Sequence, residues 1–251
     1  MNQKRFFSIV RYQLHDFKKS AMIMYSCVYF LFIVSCIDHN TLPSDKHVTL
    51  NGMELVSMIT LLVIGLVSFK ENFNFFSING ISRRTQFFST LFFFGILCAI
   101  FALIDTLNVA VFPHISNYTP LFLLLYQPAF QGFGPAAYFL MLVTNFLLLW
   151  VVYIFISMVG LFITTLYYRM NRGMKIAVSV GVPVILVNGI NLLDAYLLHG
   201  KLMQWITQAL CAVWGLSGGC HPFVAIGSHV LLACCFSALT FLLARKAVVK
   251  K

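Results

Sequence analysis

Six apolar runs, at about residues 21–37, 53–69, 87–112, 136–168, 174–198 and 222–244, constrain this chain more than anything else in it. A lipid hydrocarbon core is about 30 Å thick and takes about 20 helical residues to cross. Inside it every backbone N–H and C=O must be paired within the protein, which for runs of this length means helices. A water-facing body fails on composition: 60% of the residues are hydrophobic and 10% charged, too little polar surface to cover a soluble core. No Pro/Ser/Gly-rich linker, charge block or internal repeat divides the 251 residues. The sequence therefore predicts an all-α integral membrane protein, a single domain over residues 1–251 with six transmembrane helices. The fourth run is long enough to tilt or project from the bilayer.

The net charge of +10 is spread over the ends of these runs rather than gathered on one soluble face, which favours a membrane and excludes nucleic acid as a partner. With the N-terminus in the cytoplasm, four groups fall inside: Lys4, Arg5, Arg11, Lys18 and Lys19; Lys70, Arg83 and Arg84; Arg169, Arg172 and Lys175; Arg245, Lys246, Lys250 and Lys251. Only Lys46 and Lys201 of the 17 basic residues fall outside, so the positive-inside rule predicts both termini in the cytoplasm. Ahead of the first run, Phe6, Ile9, Val10, Leu14 and Phe17 make an apolar stripe at helical spacing among basic residues. That pattern predicts an amphipathic lead-in helix over residues 1–20, lying along the inner leaflet.

Between the second and third runs stands "ENFNFFSINGISRRTQ", residues 71–86. Asn79-Gly80 supplies a turn with positive φ, and Ser82 is placed to cap the helix that follows. Phe73, Phe75, Phe76 and Ile78 are too apolar for a solvated loop, and Arg83 and Arg84 give it a cationic edge. The residues alone fit either an interfacial aromatic belt or a docking surface.

Amides inside a membrane are costly and tend to face a bundle interior or water, which makes Asn145, Asn188 and Asn191 candidates for lining a pathway. Pro183 and Gly189 loosen the helix that carries the last two. Asp105 and Asp194 fall near the outer interface and read as solvated helix ends. Residues 202–214 form a short apolar helical segment ended by Gly218-Gly219, and Trp205 and Trp214 fit an interfacial, partly re-entrant outer element. His221 and His229 lie two helical turns apart, about 12 Å, too far to share a metal without other ligands, and read as polar lining. Cys211 and Cys220 both fall near the outer face, which leaves a disulfide between them open. The sequence contains no G-x-x-x-x-G-K-[ST] to cradle ATP phosphates and no H-E-x-x-H to hold a catalytic metal.

The basic lead-in, six runs with both ends inside, the short element "FKENFNFFSINGISRRTQFF" and a helical outer segment together resemble the permease subunit of bacterial ABC exporters, the six-helix type-2 permease class. The resemblance covers essentially the whole chain, and "NGISRRTQFF" is its most specific passage. It implies a multi-pass protein of the bacterial cytoplasmic membrane in which residues 71–86 are a coupling helix. Glu71, Phe73, Phe76, Ile78, Asn79, Gly80, Arg83 and Arg84 would then meet a separate ABC ATPase, with Trp205 and Trp214 in an outer lid. It further implies that the chain is not itself an enzyme and binds no cofactor, ATP and Mg being held by the ATPase, and that a second permease copy or paralogue completes a dimer. Cargo for efflux would be lipophilic or amphipathic, such as an antimicrobial-type peptide, a drug or a lipid-like molecule. The rival reading is a non-transporting immunity or sensor protein that binds a toxic peptide without an ATPase.

Overall fold

The computed structural model describes residues 3–41, 50–116, 118–130, 134–198 and 200–245. Helices dominate it: α1 (Gln3–Thr41), α2 (Glu54–Ile78), α3 (Arg83–Val111), α4 (Leu121–Tyr126), α5 (Gly134–Arg169), α6 (Arg172–Val184), α7 (Ile190–Leu193), α8 (Lys201–Val213) and α9 (Pro222–Arg245). Five stretches are long and apolar enough to cross a membrane: Phe6–Ile37, Arg83–His114, Tyr138–Arg169, Arg172–Tyr196 and Pro222–Arg245. This is a multi-pass, all-α membrane protein. One two-residue parallel pairing interrupts the helices, β1 (Leu50–Asn51) on β2 (Tyr118–Thr119). Lys46, Lys246, Lys250 and Lys251 lie outside the described residues.

Side-chain pairings fix the helix directions. Phe17 meets Phe93 and Tyr25 meets Phe101, at centroid distances of 5.6 and 5.3 Å, so α1 and α3 run parallel. Phe155 meets His229 and Phe162 meets Phe236, so α5 and α9 are parallel. Glu54 meets Tyr153, Leu66 meets Thr164 and Phe69 meets Tyr168, so α2 and α5 are parallel as well. In contrast, α3 runs against α5, pairing Thr106 with Asn145 and Cys98 with Ser157. These directions are those of a chain in which α1 and α3 rise while α2, α5 and α9 descend.

Glycine lets the backbones of α2 and α5 approach closely. A Cβ on Gly65 would lie 2.6 Å from the Ser157 carbonyl oxygen, and one on Gly160 would lie 2.6 Å from that of Leu62. Small residues let helix backbones approach where lipid provides no hydrophobic drive for association.

Two expectations change. The lead-in is not a separate interfacial helix: α1 continues unbroken for 39 residues, about 58 Å, because residues 6–41 contain neither Gly nor Pro. Its stripe faces the protein, with Ile9, Val10 and Phe17 buried and Gln13 Nε2 donating to Thr90 Oγ1 at 3.2 Å. The element after the second run is likewise not a separate helix. It is the last turns of α2, which nothing breaks between Gly65 and Asn79. The question left open at Cys211 and Cys220 closes without a disulfide, since both are free thiols.

Candidate functional site

The α2–α3 corner is built by short-range bonds. Asn79 caps α2, its N–H and Nδ2 both donating to Phe75 O at 3.2 and 2.8 Å. Gly80 turns the chain at φ 67°, a conformation that side chains rarely adopt. Ser82 opens α3, its Oγ accepting from Thr85 N at 3.3 Å. Buried Gln86 pins the turn from behind by donating to Ile81 O at 2.9 Å.

Around that turn the docking residues expected from sequence divide into two sets. Phe73 and Phe76 are 5% and 2% exposed and point into the protein. Phe73 stacks on Phe69 at 5.2 Å and meets the edge of Tyr168 of α5 at 5.6 Å, while Phe76 packs beside Tyr12 of α1 at 6.3 Å. Arg83 is exposed but engaged within the chain, its Nη1 donating to Arg245 O at 2.6 Å and closing the C-terminal end of α9, where a cation meets the negative end of the helix. Ile78, Asn79, Gly80 and Arg84 form the outward set, with Ile78 81% exposed. The side chains of Lys70 and Glu71 lie outside the described residues. Four helices, α1, α3, α5 and α9, thus converge on the base of one protruding tip.

The three candidate asparagines do not form one site. Asn145 is fully buried between α5 and α3, donating to Thr106 Oγ1 at 3.2 Å. Asn188 and Asn191 stand exposed on the stretch after α6, where Asn191 Nδ2 donates to Val187 O at 2.5 Å. No residue of α6 is buried against the rest of the chain. The loosening expected near Pro183 and Gly189 takes the form of two π-helical turns, Ile185–Gly189 and Asp194–Leu198.

At the opposite end of the bundle stands a buried polar cluster that sequence reasoning missed. Tyr153 OH donates to Asp105 Oδ2 at 2.6 Å, and Tyr25 OH is 3.3 Å from Asp105 Oδ1. Glu54, only 2% exposed, accepts from Leu121 N at 3.2 Å. Asp105 is thus a bundle-interior group rather than a solvated helix end. Asp194 is not a free helix end either, since its carboxylate oxygens accept from Leu202 N and Met203 N, at 2.9 and 3.2 Å, and cap α8. Glu54 had no signal beyond its place at the head of a run. Asp194 had one, an acid shortly before a helical pattern.

The segment expected as an outer element is half anchored. Trp205 is 70% exposed on α8. Trp214 is packed against the buried His229 ring at 4.8 Å, and its carbonyl accepts from Tyr126 OH at 2.6 Å. Burial pushes the Tyr126 hydroxyl up to about 12, which keeps it a donor at physiological pH. His221 is exposed, so the two histidines do not share an environment.

Comparison of the chain with protein-family models, with curated proteins and with solved structures gives no match in any of the three.

Proposed function

We propose that this chain is the permease subunit of an ATP-driven ABC exporter of the bacterial cytoplasmic membrane. In this reading all six runs cross the bilayer with both termini inside. A separate ABC ATPase supplies ATP and Mg chemistry, and a second permease copy or paralogue covers the surface that α6 leaves bare. The observation that carries the reading is the α2–α3 corner. A tip presenting Ile78, Asn79, Gly80 and Arg84, whose base is tied to α1, α5 and α9 through Tyr12, Tyr168 and Arg245, passes a push on itself into the whole bundle. An aromatic belt residue needs no such connection. The cargo is lipophilic or amphipathic, which suits an apolar groove of about 690 Å³ between α3, α5 and α9, lined by Phe92, Ala99, Trp150 and Cys234.

Purification of the tagged chain from its native membrane tests the proposal. An ATPase carrying G-x-x-x-x-G-K-[ST] should co-elute in about equal amount and its turnover should rise with amphipathic peptides. A chain that elutes without any ATPase, from cells that express the adjacent genes, would refute it.

A further inference from the structure

A second groove, of about 530 Å³, runs between α1 and α3 and differs from the first in one respect. Its wall is apolar along Met22, Leu97 and Ile104, yet Lys18 stands in it, one helical turn in from Leu14 at its N-terminal end. The groove between α3, α5 and α9 has no charged residue in its wall. The hydroxyls along the Lys18 groove are already used within the protein: Ser26 donates to Met22 O at 2.8 Å, Tyr29 to Asn108 Oδ1 at 3.3 Å, and Tyr25 lies 3.3 Å from Phe101 O. What remains for an occupant is hydrocarbon surface with one cation near its N-terminal end.

The dimensions choose among occupants. The groove runs along α1 from Leu14 to Tyr29, and the part beyond Lys18 covers eleven residues, about 16 Å of rise, which is close to half of a 30 Å hydrocarbon core. The part beyond Lys18 is therefore one leaflet deep, and the apolar run that begins at Ala21 puts Lys18 where that leaflet's headgroups begin, with Leu14 beside them. Lys19 is adjacent, and Asp16, two residues earlier, does not share a helix face with Lys18. A second copy of the chain would need to bring an acidic group to this one spot. An acyl chain with a phosphate above it matches both the length and the charge.

We propose that the α1–α3 groove is a binding site for one anionic phospholipid of the leaflet at the N-terminal end of α1, with its tail between Leu97, Ile104 and Met22 and its phosphate on Lys18. Basic pockets between helices at a membrane surface hold such headgroups, each Lys adding roughly a fivefold preference. The site needs only that the chain lie in a bilayer, so its test is independent of the exporter reading.

The test is native mass spectrometry of the purified chain with equal amounts of phosphatidylglycerol and phosphatidylcholine. The parent should keep one anionic lipid with about fivefold preference. Lys18→Gln should bring the ratio close to one while a lipid stays bound. Ala21→Trp, which fills this groove, should lower occupancy about tenfold, whereas Ala99→Trp, in the other groove, should leave it unchanged. Equal retention of both lipids by the parent and all variants would show annular lipid only and overturn the proposal. So would a smaller oligomer on Ala21→Trp, which would make the groove an interface between copies. In a background retaining Cys98 alone, absence of reaction at this buried thiol confirms that each variant is folded.

Discussion

Substituting Gly65 with Ala places one methyl group where the fold has no room for it. The new Cβ would lie 2.6 Å from Ser157 O and 3.2 Å from both Gly160 Cα and Leu161 N, closer to that oxygen than real Cβ atoms come. All three neighbours are backbone, so no rotamer change relieves the clash and α2 must move away from α5. Overpacking of this kind costs about 1–3 kcal/mol. In a chain of this size each kcal/mol shifts the melting point by about 2–4 °C, so a loss of about 2 kcal/mol means roughly 4–8 °C. Cys98 reports the event directly, since its Sγ is 3.4 Å from Ser157 Oγ on the same turn of α5. In a background retaining Cys98 alone, a thiol-reactive dye followed on heating should react several degrees earlier in Gly65→Ala. Gly160→Ala should behave alike, and the double variant should cost less than the sum because both methyls open one contact. Gly95→Ala, with nothing within 4 Å of its Cβ, should melt at or above the parent. Parental melting of both Gly65→Ala and Gly160→Ala would refute the close helix approach.

Other consequences follow from single bonds. Tyr153→Phe removes the 2.6 Å donor from buried Asp105 and should cost about 1–3 kcal/mol in the same thermal assay. Asp194→Ala uncaps α8 at a cost of about 1 kcal/mol, so amide exchange over residues 201–205 should rise about fivefold while global melting holds. For topology, a lone cysteine at Asn79 should resist an impermeant thiol reagent in intact cells and one at Ser217 should react; the reverse pattern would invert the bundle.

The sequence made the helices legible because lipid imposes length and composition on anything that crosses it. Local chemistry was equally readable: Asn79, Gly80 and Ser82 make the turn and cap that their types predict. What escaped is everything decided by a distant partner. Phe73 and Phe76 look like a docking surface until Tyr168 and Tyr12, 95 and 64 residues away in the chain, are seen to cover them. Arg83 reads as a free charge until the last turn of α9 arrives beside it. The lead-in stripe spells amphipathic helix whether its apolar side meets lipid or α3. Gly65 and Gly160 are 95 residues apart, and neither signals the other.

The exporter reading rests on the exposed tip of the corner, and the affinity of purified ATPase for the permease in lipid nanodiscs tests it most directly. Ile78→Asp with Arg84→Glu leaves buried Phe73 and Phe76, and the bond from Arg83 to α9, untouched, so the fold should hold. Losing the burial of Ile78 removes about 2 kcal/mol, and reversing Arg84 about 1 kcal/mol more. The account therefore predicts roughly a hundredfold rise in Kd. A Kd within about threefold of the parent, with transport intact, would contradict it and leave the corner an ordinary interfacial turn.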